Sequence, residues 1–140
     1  MTDELVLSKF VSLERCVKQI RDYYSQPREL PFAEDYLVQD AITQNIQRAC
    51  EICIDMANYV VRTRKLGVPH ASRDSFYMLA EAKIITLDVA SEMTRMIGFR
   101  NVLVHQYQNI NIEIMITVVE EKLDDLLAYA EYILAEMNEQ

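Results

Sequence analysis

The chain is poor in the residues that turn a backbone. Its 140 residues include only 2 glycines and 3 prolines, while 51% of the residues are hydrophobic. A fold of many short strands would need frequent turns, and turns draw heavily on glycine and proline. A chain with so few of them favours a small number of long helices. We therefore predict an all-α fold.

Apolar spacing divides the chain into four long helices and one short helix. In each segment the apolar side chains recur at helical intervals, which places them on one face. The long helices are predicted from Thr2 or Asp3 to about Tyr24, Ala33 to Lys65, Leu87 to Gln106 or Tyr107, and Ile112 to about Asn138. The short helix is predicted to begin at Ser72 and to end before Ile84. Short connections favour an antiparallel bundle, and we expect residues 1–140 to form one domain.

Individual residues are expected to fix the helix ends. Ser72 is the predicted N-cap of the short helix, and Asn111 is the predicted N-cap of the last helix. Gly67 can adopt the left-handed conformation that closes the second long helix. Near the start of that helix, Tyr36 and Leu37 are assigned to the apolar face.

The cysteines and the apolar runs limit the classes of protein to which the chain can belong. Cys16, Cys50 and Cys53 are odd in number and no apolar leader precedes them, so we expect a cytoplasmic protein without a disulfide framework. No apolar run approaches the roughly 20 residues that a membrane span requires. Cys50 and Cys53 supply only two of the four ligands of a zinc site, so we expect both to pack in the core.

Net charge argues against a large nucleic-acid surface. The chain has 14 Lys and Arg against 22 Asp and Glu, which gives a formal net charge of -8. Nucleic acid is attracted by the opposite sign. Acidic residues such as Glu120 and Asp124 crowd the last helix, however, whereas Arg95 and Arg100 lie in the helix before it. A local basic cleft is compatible with this distribution, and the acidic face is either a solvated surface or a dock for a basic partner.

The segment from Arg100 to Tyr107 combines groups that can process a phosphodiester. Cleavage of RNA without a metal needs a base for the 2′-OH, an acid for the leaving 5′-oxygen and a cation for the transition-state charge. His105 can act as acid or base because its ordinary pKa lies near neutrality. Arg100 can hold a phosphate with two hydrogen bonds and stays charged. Since the sequence shows no convincing metal site and no glycine-rich phosphate loop, we predict no metal and no cofactor.

The spacing of this segment predicts a site shared between two subunits. On an ideal helix Asn101 and His105 share a face, whereas Arg100 and His105 diverge by roughly 140°. Two such helices packed face to face would supply a complete cluster. A lone histidine is more often structural, but residues 102–104 are apolar and should hold the polar groups against a packed surface.

The pattern Arg-x4-His-x-Tyr formed by Arg100, His105 and Tyr107 resembles the signature of the HEPN superfamily, specifically its HepT-like branch of ribonuclease toxins. The surroundings are similar as well, in Ser75-Phe76-x-x-Leu79-Ala80-Glu81, Ile84-Ile85 and Met96-Ile97-Gly98-Phe99. Length and helix count agree, so the resemblance covers nearly the whole chain.

The resemblance implies an endoribonuclease toxin of a type VII-like toxin–antitoxin pair that cleaves cellular RNA without a metal and acts as a homodimer. It assigns catalysis to Arg100 and His105, and Asn101 matches a polar residue that can orient the phosphate or the histidine. It also implies that a minimal nucleotidyltransferase antitoxin adds AMP to Tyr107. A second interpretation stays open: a non-catalytic helical subunit of a nucleotidyltransferase that binds a nucleotide or the partner.

Overall fold

The computed structural model describes residues 2–105 and 111–138. Its helices are α1 Glu4–Ser25, α2 Tyr36–Thr63, α3 Ser72–Glu81, α4 Leu87–His105, α5 Ile112–Thr117 and α6 Leu123–Asn138. A π-helical segment, Val118–Lys122, joins α5 directly to α6, and a single 3-10 turn, Phe32–Glu34, precedes α2. The described residues contain no strand. Because α5, the π segment and α6 form one uninterrupted helical stretch, the predicted all-α fold of four long helices and one short helix is confirmed.

Helix α2 lies at the centre of the bundle. It contacts α1, α3, α4 and α6, while α4 packs against α2, α3 and α6. The inner face of α2 is buried from Val38 to Val61, and each large apolar side chain buried in this way stabilises the fold by about 1.5–3 kcal/mol. The position of α4 is therefore set by three neighbouring helices. None of the helices in the described ranges has both the length and the apolar character needed to cross a membrane.

The three cysteines are buried free thiols. Cys50 and Cys53 are fully inaccessible to solvent, and the Sγ of Cys50 lies 3.9 Å from the carbonyl oxygen of Met96. Burial raises the pKa of Cys50 from its ordinary value of 9.0 to about 12, although the charge of Arg100 opposes the shift. Burial also raises the pKa of Cys53. The core-packing interpretation of this pair is confirmed, and the described residues contain no group of three or more His, Cys, Asp or Glu side chains that could hold a metal ion.

The second long helix begins later than predicted. The chain forms the 3-10 turn first, and Asp35 then caps α2 by accepting a hydrogen bond from the Val38 N–H at 3.2 Å. Tyr36 and Leu37 are 70% and 81% exposed, so their assignment to the apolar face is wrong. Successive residues point in different directions around a helix. Val38 and Ile42 face the core, so Tyr36 and Leu37 fall outside the buried face.

The predicted left-handed cap at Gly67 is wrong, because a lysine closes α2. Lys65 has a φ of 55°, and the Leu66 N–H donates to the Val61 carbonyl at 2.9 Å in the Schellman pattern. Gly67, with a φ of 139°, lies two residues beyond this cap. Lys83, with a φ of 63°, ends α3 in the same way. Backbone hydrogen bonds, rather than glycine, therefore determine where both helices end.

The N-terminus of α3 is capped by Ala71, so the prediction of Ser72 is wrong by one residue. Alanine has no side-chain acceptor, and the carboxylate of Asp74 instead accepts the N–H groups of His70 at 3.0 Å and Ala71 at 3.1 Å. The predicted cap at Asn111 is confirmed, because its side chain accepts the Ile114 N–H at 3.2 Å.

Candidate active site

Arg100 lies on the carboxyl-terminal part of α4, between a buried face and an exposed one. Its side chain is 17% exposed, and the neighbouring Leu103 is buried. Asn101 and Val102 are exposed, so the expectation that residues 102–104 hold the polar groups against a packed surface is wrong for Val102. Most of the Arg100 side chain is thus packed against the protein, whereas Asn101 is exposed to solvent.

Glu51 of α2 holds the guanidinium group. Nη1 of Arg100 donates to Oε1 of Glu51, whose side chain is 56% exposed. Nε of Arg100 is buried without a hydrogen-bond partner among the described residues, although a guanidinium carries five N–H donors. Nε is too buried to reach a ligand, but Glu51 engages only Nη1, so the other terminal N–H groups of the guanidinium keep the capacity to bind an anion. Sequence reasoning missed Glu51 because nothing in the spacing of α2 distinguishes it from other exposed polar residues.

A cavity of about 480 Å³ lies beside Arg100, within the range of roughly 300–1,000 Å³ typical of ligand sites. It is bounded by the N-terminus of α3 and by α4. Its lining residues are Ala71, Ser72, Arg73, Thr94, Ile97, Gly98, Arg100 and Asn101. The fold therefore brings two of the predicted site residues, Arg100 and Asn101, to one cavity and adds Arg73, which the sequence did not single out.

Gly98 leaves one wall of this cavity open. It lies in the interior of α4, and a Cβ atom added there would meet no atom within 4 Å. A glycine within a helix costs about 0.5–1 kcal/mol relative to alanine. Packing inside the described part of the chain does not require glycine at this position. The missing side chain instead gives access to α4 one turn before Asn101.

Arg95, the other cation near the motif, belongs to a different surface. Its guanidinium bonds to Glu92 on the same helix, and Nζ of Lys122 lies 3.8 Å from the same carboxylate. These residues line a separate groove of about 410 Å³ between α4 and the α5–π stretch. Arg95 lines this groove and not the cavity beside Arg100, so it does not contribute to that cavity.

The remaining predicted site residues are only partly covered by the structure. His105 is the last residue of α4, one helical turn beyond Asn101. Its side chain and the whole of Tyr107 lie outside the described residues. His70, for which no role was expected, is exposed in the turn before α3.

The acidic side of the last helix is partly held by α1. The hydroxyl of Tyr24 donates to Glu120 at 2.6 Å, and the guanidinium of Arg21 pairs with Asp124 at 2.7 Å. Burial is the larger cause of a raised pKa of the Tyr24 hydroxyl, and the hydrogen bond to Glu120 adds to it. Glu120, Glu121 and Asp124 are exposed, which agrees with a solvated face.

Comparison with known proteins identifies the family of the chain. A family model described as "Ribonuclease HepT-like" matches residues 13–133. The chain is 37% identical over 134 residues to the mRNA nuclease HepT of Shewanella oneidensis, and the match covers 96% of this chain and 99% of that protein.

Two solved structures agree closely with the bundle. One is the tri-AMPylated HEPN toxin of Shewanella oneidensis in complex with an MNT antitoxin, with a TM-score of 0.88 and 37% identity over 95% of this chain and 98% of that one. Another is a toxin–antitoxin structure with AMP-PNP, with a TM-score of 0.87 and 36% identity over 94% and 98% of the two chains. Because these matches span nearly all of the sequence, and the family match includes the helix of Arg100 and Asn101, the chain belongs to the ribonuclease HepT-like family.

Proposed function

We propose that this chain is the toxin of a type VII-like toxin–antitoxin pair, an endoribonuclease that cleaves cellular RNA without a metal ion. The observation that carries the proposal is Arg100, which is held by Glu51 and shares a cavity with Asn101 in a chain of the ribonuclease HepT-like family. The likeness to an mRNA nuclease supports RNA as the substrate. We place the activity in the cytoplasm, where cellular RNA is found.

Each residue of the motif has a distinct role in this reaction. Arg100 binds the scissile phosphate and stabilises the charge that develops on it. His105 takes the proton of the 2′-OH or donates one to the leaving 5′-oxygen, depending on its protonation state. Attack of the 2′-oxygen on phosphorus then breaks the bond to the 5′-oxygen and leaves a 2′,3′-cyclic phosphate. Asn101 orients the phosphate or the imidazole.

Two subunits complete the site in this proposal. Arg100 and His105 diverge by roughly 140° around an ideal helix, so one α4 presents them on different faces. A homodimer that joins two copies of α4 would place an arginine of one subunit near a histidine of the other. The symmetry of a two-fold dimer requires each subunit to contribute the same surface.

We propose a minimal nucleotidyltransferase antitoxin as the partner that neutralises this site. The solved relative is an AMPylated toxin bound to an MNT antitoxin, and Tyr107 is the residue of this chain that we expect to receive AMP. An AMP group would place a phosphate and an adenine two residues from His105. Its bulk and its negative charge would both keep RNA away from Arg100.

The test is cleavage of total cellular RNA in EDTA by purified protein whose mass shows an unmodified Tyr107. The wild type and Arg95→Ala should cleave and leave 2′,3′-cyclic ends, because Arg95 lies outside the site. Arg100→Ala and His105→Ala should each lose about 10²–10³-fold in rate, as expected when a transition-state contact is removed. All four proteins are first shown to be folded and to have the same oligomeric state.

The net charge of -8 favours the alternative, a non-catalytic subunit that binds a nucleotide or the nucleotidyltransferase. The same experiment separates the two functions. A folded, unmodified wild type that leaves RNA intact would support the binding subunit and contradict the ribonuclease.

A further inference from the structure

The cavity beside Arg100 contains a second arginine, and we propose that Arg73 and Arg100 bind two phosphates of the same RNA strand. We call this cavity, formed by residues 71–73, 94, 97–98 and 100–101, the two-arginine cleft. The proposal rests on the ribonuclease function and extends it, since Arg100 takes the scissile phosphate and Arg73 a neighbouring one. Arg73 would thus position the strand without touching the reacting bond.

Charge is the first argument for a polyanion. Among the residues that the structure describes, Arg73 and Arg100 are the charged members of the cleft lining, which includes no Asp or Glu. Within the described residues Arg73 forms no salt bridge, and Glu51, the partner of Arg100, does not line the cleft. In a chain with a net charge of -8, this cleft is a local positive site that would concentrate phosphate groups.

Asp74, the acidic residue next to Arg73 in sequence, is already engaged in hydrogen bonds to the backbone. The carboxylate of Asp74 accepts the N–H groups of His70 and Ala71 and so closes the turn before α3. This arrangement fixes residues 70–72 and directs the negative charge of Asp74 to the backbone of that turn. Arg73 remains exposed at the rim of the cleft, where an incoming strand can reach it.

Shape is the second argument. The open space at Gly98 lets a sugar–phosphate backbone approach α4 within the cleft that Arg73 and Arg100 also line. The hydroxyl of Ser72 and the amide of Asn101 add uncharged hydrogen-bonding groups to the same cleft. A lining with two cations, two hydroxyls and an amide matches the alternating phosphates and ribose hydroxyls of RNA.

A second copy of the chain is a weaker candidate for this space. In a two-fold dimer that buried the cleft against itself, the partner would bring a second pair of the same arginines. Glu51 offsets part of the charge of each Arg100, but each Arg73 would still face the partner's arginines across a cleft whose described lining has no carboxylate, and they would repel one another unless an anion lay between them. Charge complementarity therefore favours RNA as the occupant.

The test measures binding separately from cleavage. A short single-stranded 2′-O-methyl oligoribonucleotide lacks the attacking hydroxyl, so its dissociation constant reports binding alone. We expect Arg73→Gln to raise this constant about tenfold at low salt and to reduce the slope of log affinity against log salt by about 0.7, the value for one phosphate contact on a single strand. Arg95→Gln, which removes the same charge from α4 outside the cleft, should leave both quantities unchanged.

The space is tested by Gly98→Leu, whose side chain would fill the cleft without changing its charge. We expect this variant to keep the oligomeric state of the wild type in sedimentation and to bind the oligonucleotide more weakly. A dimer that dissociates on this substitution would assign the space to the partner subunit and overturn the proposal. Free AMP that competes as well as the oligonucleotide, at equal phosphate concentration, would also overturn it, because a single phosphate would then suffice.

Failure of this inference can be told apart from failure of the proposed function. A wild type that cleaves RNA, with Arg73→Gln unchanged in affinity and salt slope, would refute the second phosphate site and leave the ribonuclease standing. A folded wild type that neither cleaves RNA nor binds the oligonucleotide would refute both.

Discussion

Replacing Glu51 with glutamine isolates the effect of the negative charge beside Arg100. Glutamine keeps an oxygen that can accept the hydrogen bond from Nη1 of Arg100 but removes the carboxylate charge. Because the Glu51 side chain is 56% exposed, solvent screens the pair, and its loss should cost about 0.2–1 kcal/mol of unfolding free energy. Urea denaturation should therefore find Glu51→Gln folded and only slightly less stable than the wild type.

The same substitution, Glu51→Gln, should raise the affinity for RNA. A phosphate bound on the far side of the guanidinium would lie roughly 6 Å from the Glu51 carboxylate, where like charges repel by about 1 kcal/mol at an effective dielectric constant of about 50. Removing that repulsion predicts a dissociation constant about five- to sixfold lower at low salt. Fluorescence anisotropy with the non-cleavable oligoribonucleotide measures this change, and the gain should shrink as salt is added.

Two further variants make the result decisive. Asp22→Asn removes the same charge from the exposed pair with Lys18 on α1 and should leave the affinity unchanged. Arg100→Ala sets the scale for complete loss of the phosphate contact. If Glu51→Gln weakens binding as much as Arg100→Ala does, the carboxylate is needed to hold the guanidinium in place, and the argument from repulsion is wrong.

Three other predictions follow from the structure. Lys65→Gly should raise the unfolding free energy by about 0.5–1 kcal/mol, because glycine adopts the left-handed conformation without the cost that lysine bears there; a loss of stability in urea would contradict this. Stability should fall as pH rises above about 9, because the Cys50 thiol keeps its proton in the folded protein and loses it on unfolding; the slope for that thiol approaches 1.4 kcal/mol per pH unit. Cys50→Ala should reduce the slope by this contribution while the buried Cys53 thiol keeps its own, and an unchanged slope would exclude Cys50 as a source. Finally, mixing Arg100→Ala with His105→Ala under conditions of subunit exchange should restore cleavage in about half of the dimers if the site is composite, whereas no recovery would place both groups in one subunit.

The fold could be predicted from the sequence because its signal is repeated along every helix. Scarce glycine and proline, together with apolar residues at helical spacing, indicate the same architecture in each segment. The helix ends were less predictable because each depends on a few local atoms. At Lys65 two backbone hydrogen bonds of the Schellman motif outweigh the roughly 1–2 kcal/mol that an L-residue loses in the left-handed region. No sequence rule that looks for glycine at this position would find that outcome.

The candidate site was only half visible in the sequence for a similar reason. Arg100 and Asn101 are neighbours in one helix, so the spacing of the motif is enough to bring them together. Glu51 reaches Arg100 from α2, and Arg73 reaches the cavity beside Arg100 from α3; both depend on the packing of α4 against those helices. Arg95 shows the converse error. It is close to the motif in sequence, but it pairs with Glu92 and lines a different groove.

An acidic surface is compatible with a ribonuclease if the RNA is confined to one cleft. At an ionic strength of 0.1 M charges more than about 10 Å apart are largely screened, so the net charge of -8 acts mainly on regions where RNA would lie directly against carboxylates. Such regions include the face of Glu120 and Asp124, which RNA should avoid. Binding is then restricted to the short-range contacts of Arg73 and Arg100. The slope of log RNA affinity against log salt should therefore be set by the number of phosphates held in the two-arginine cleft. It should not follow the total charge of the protein.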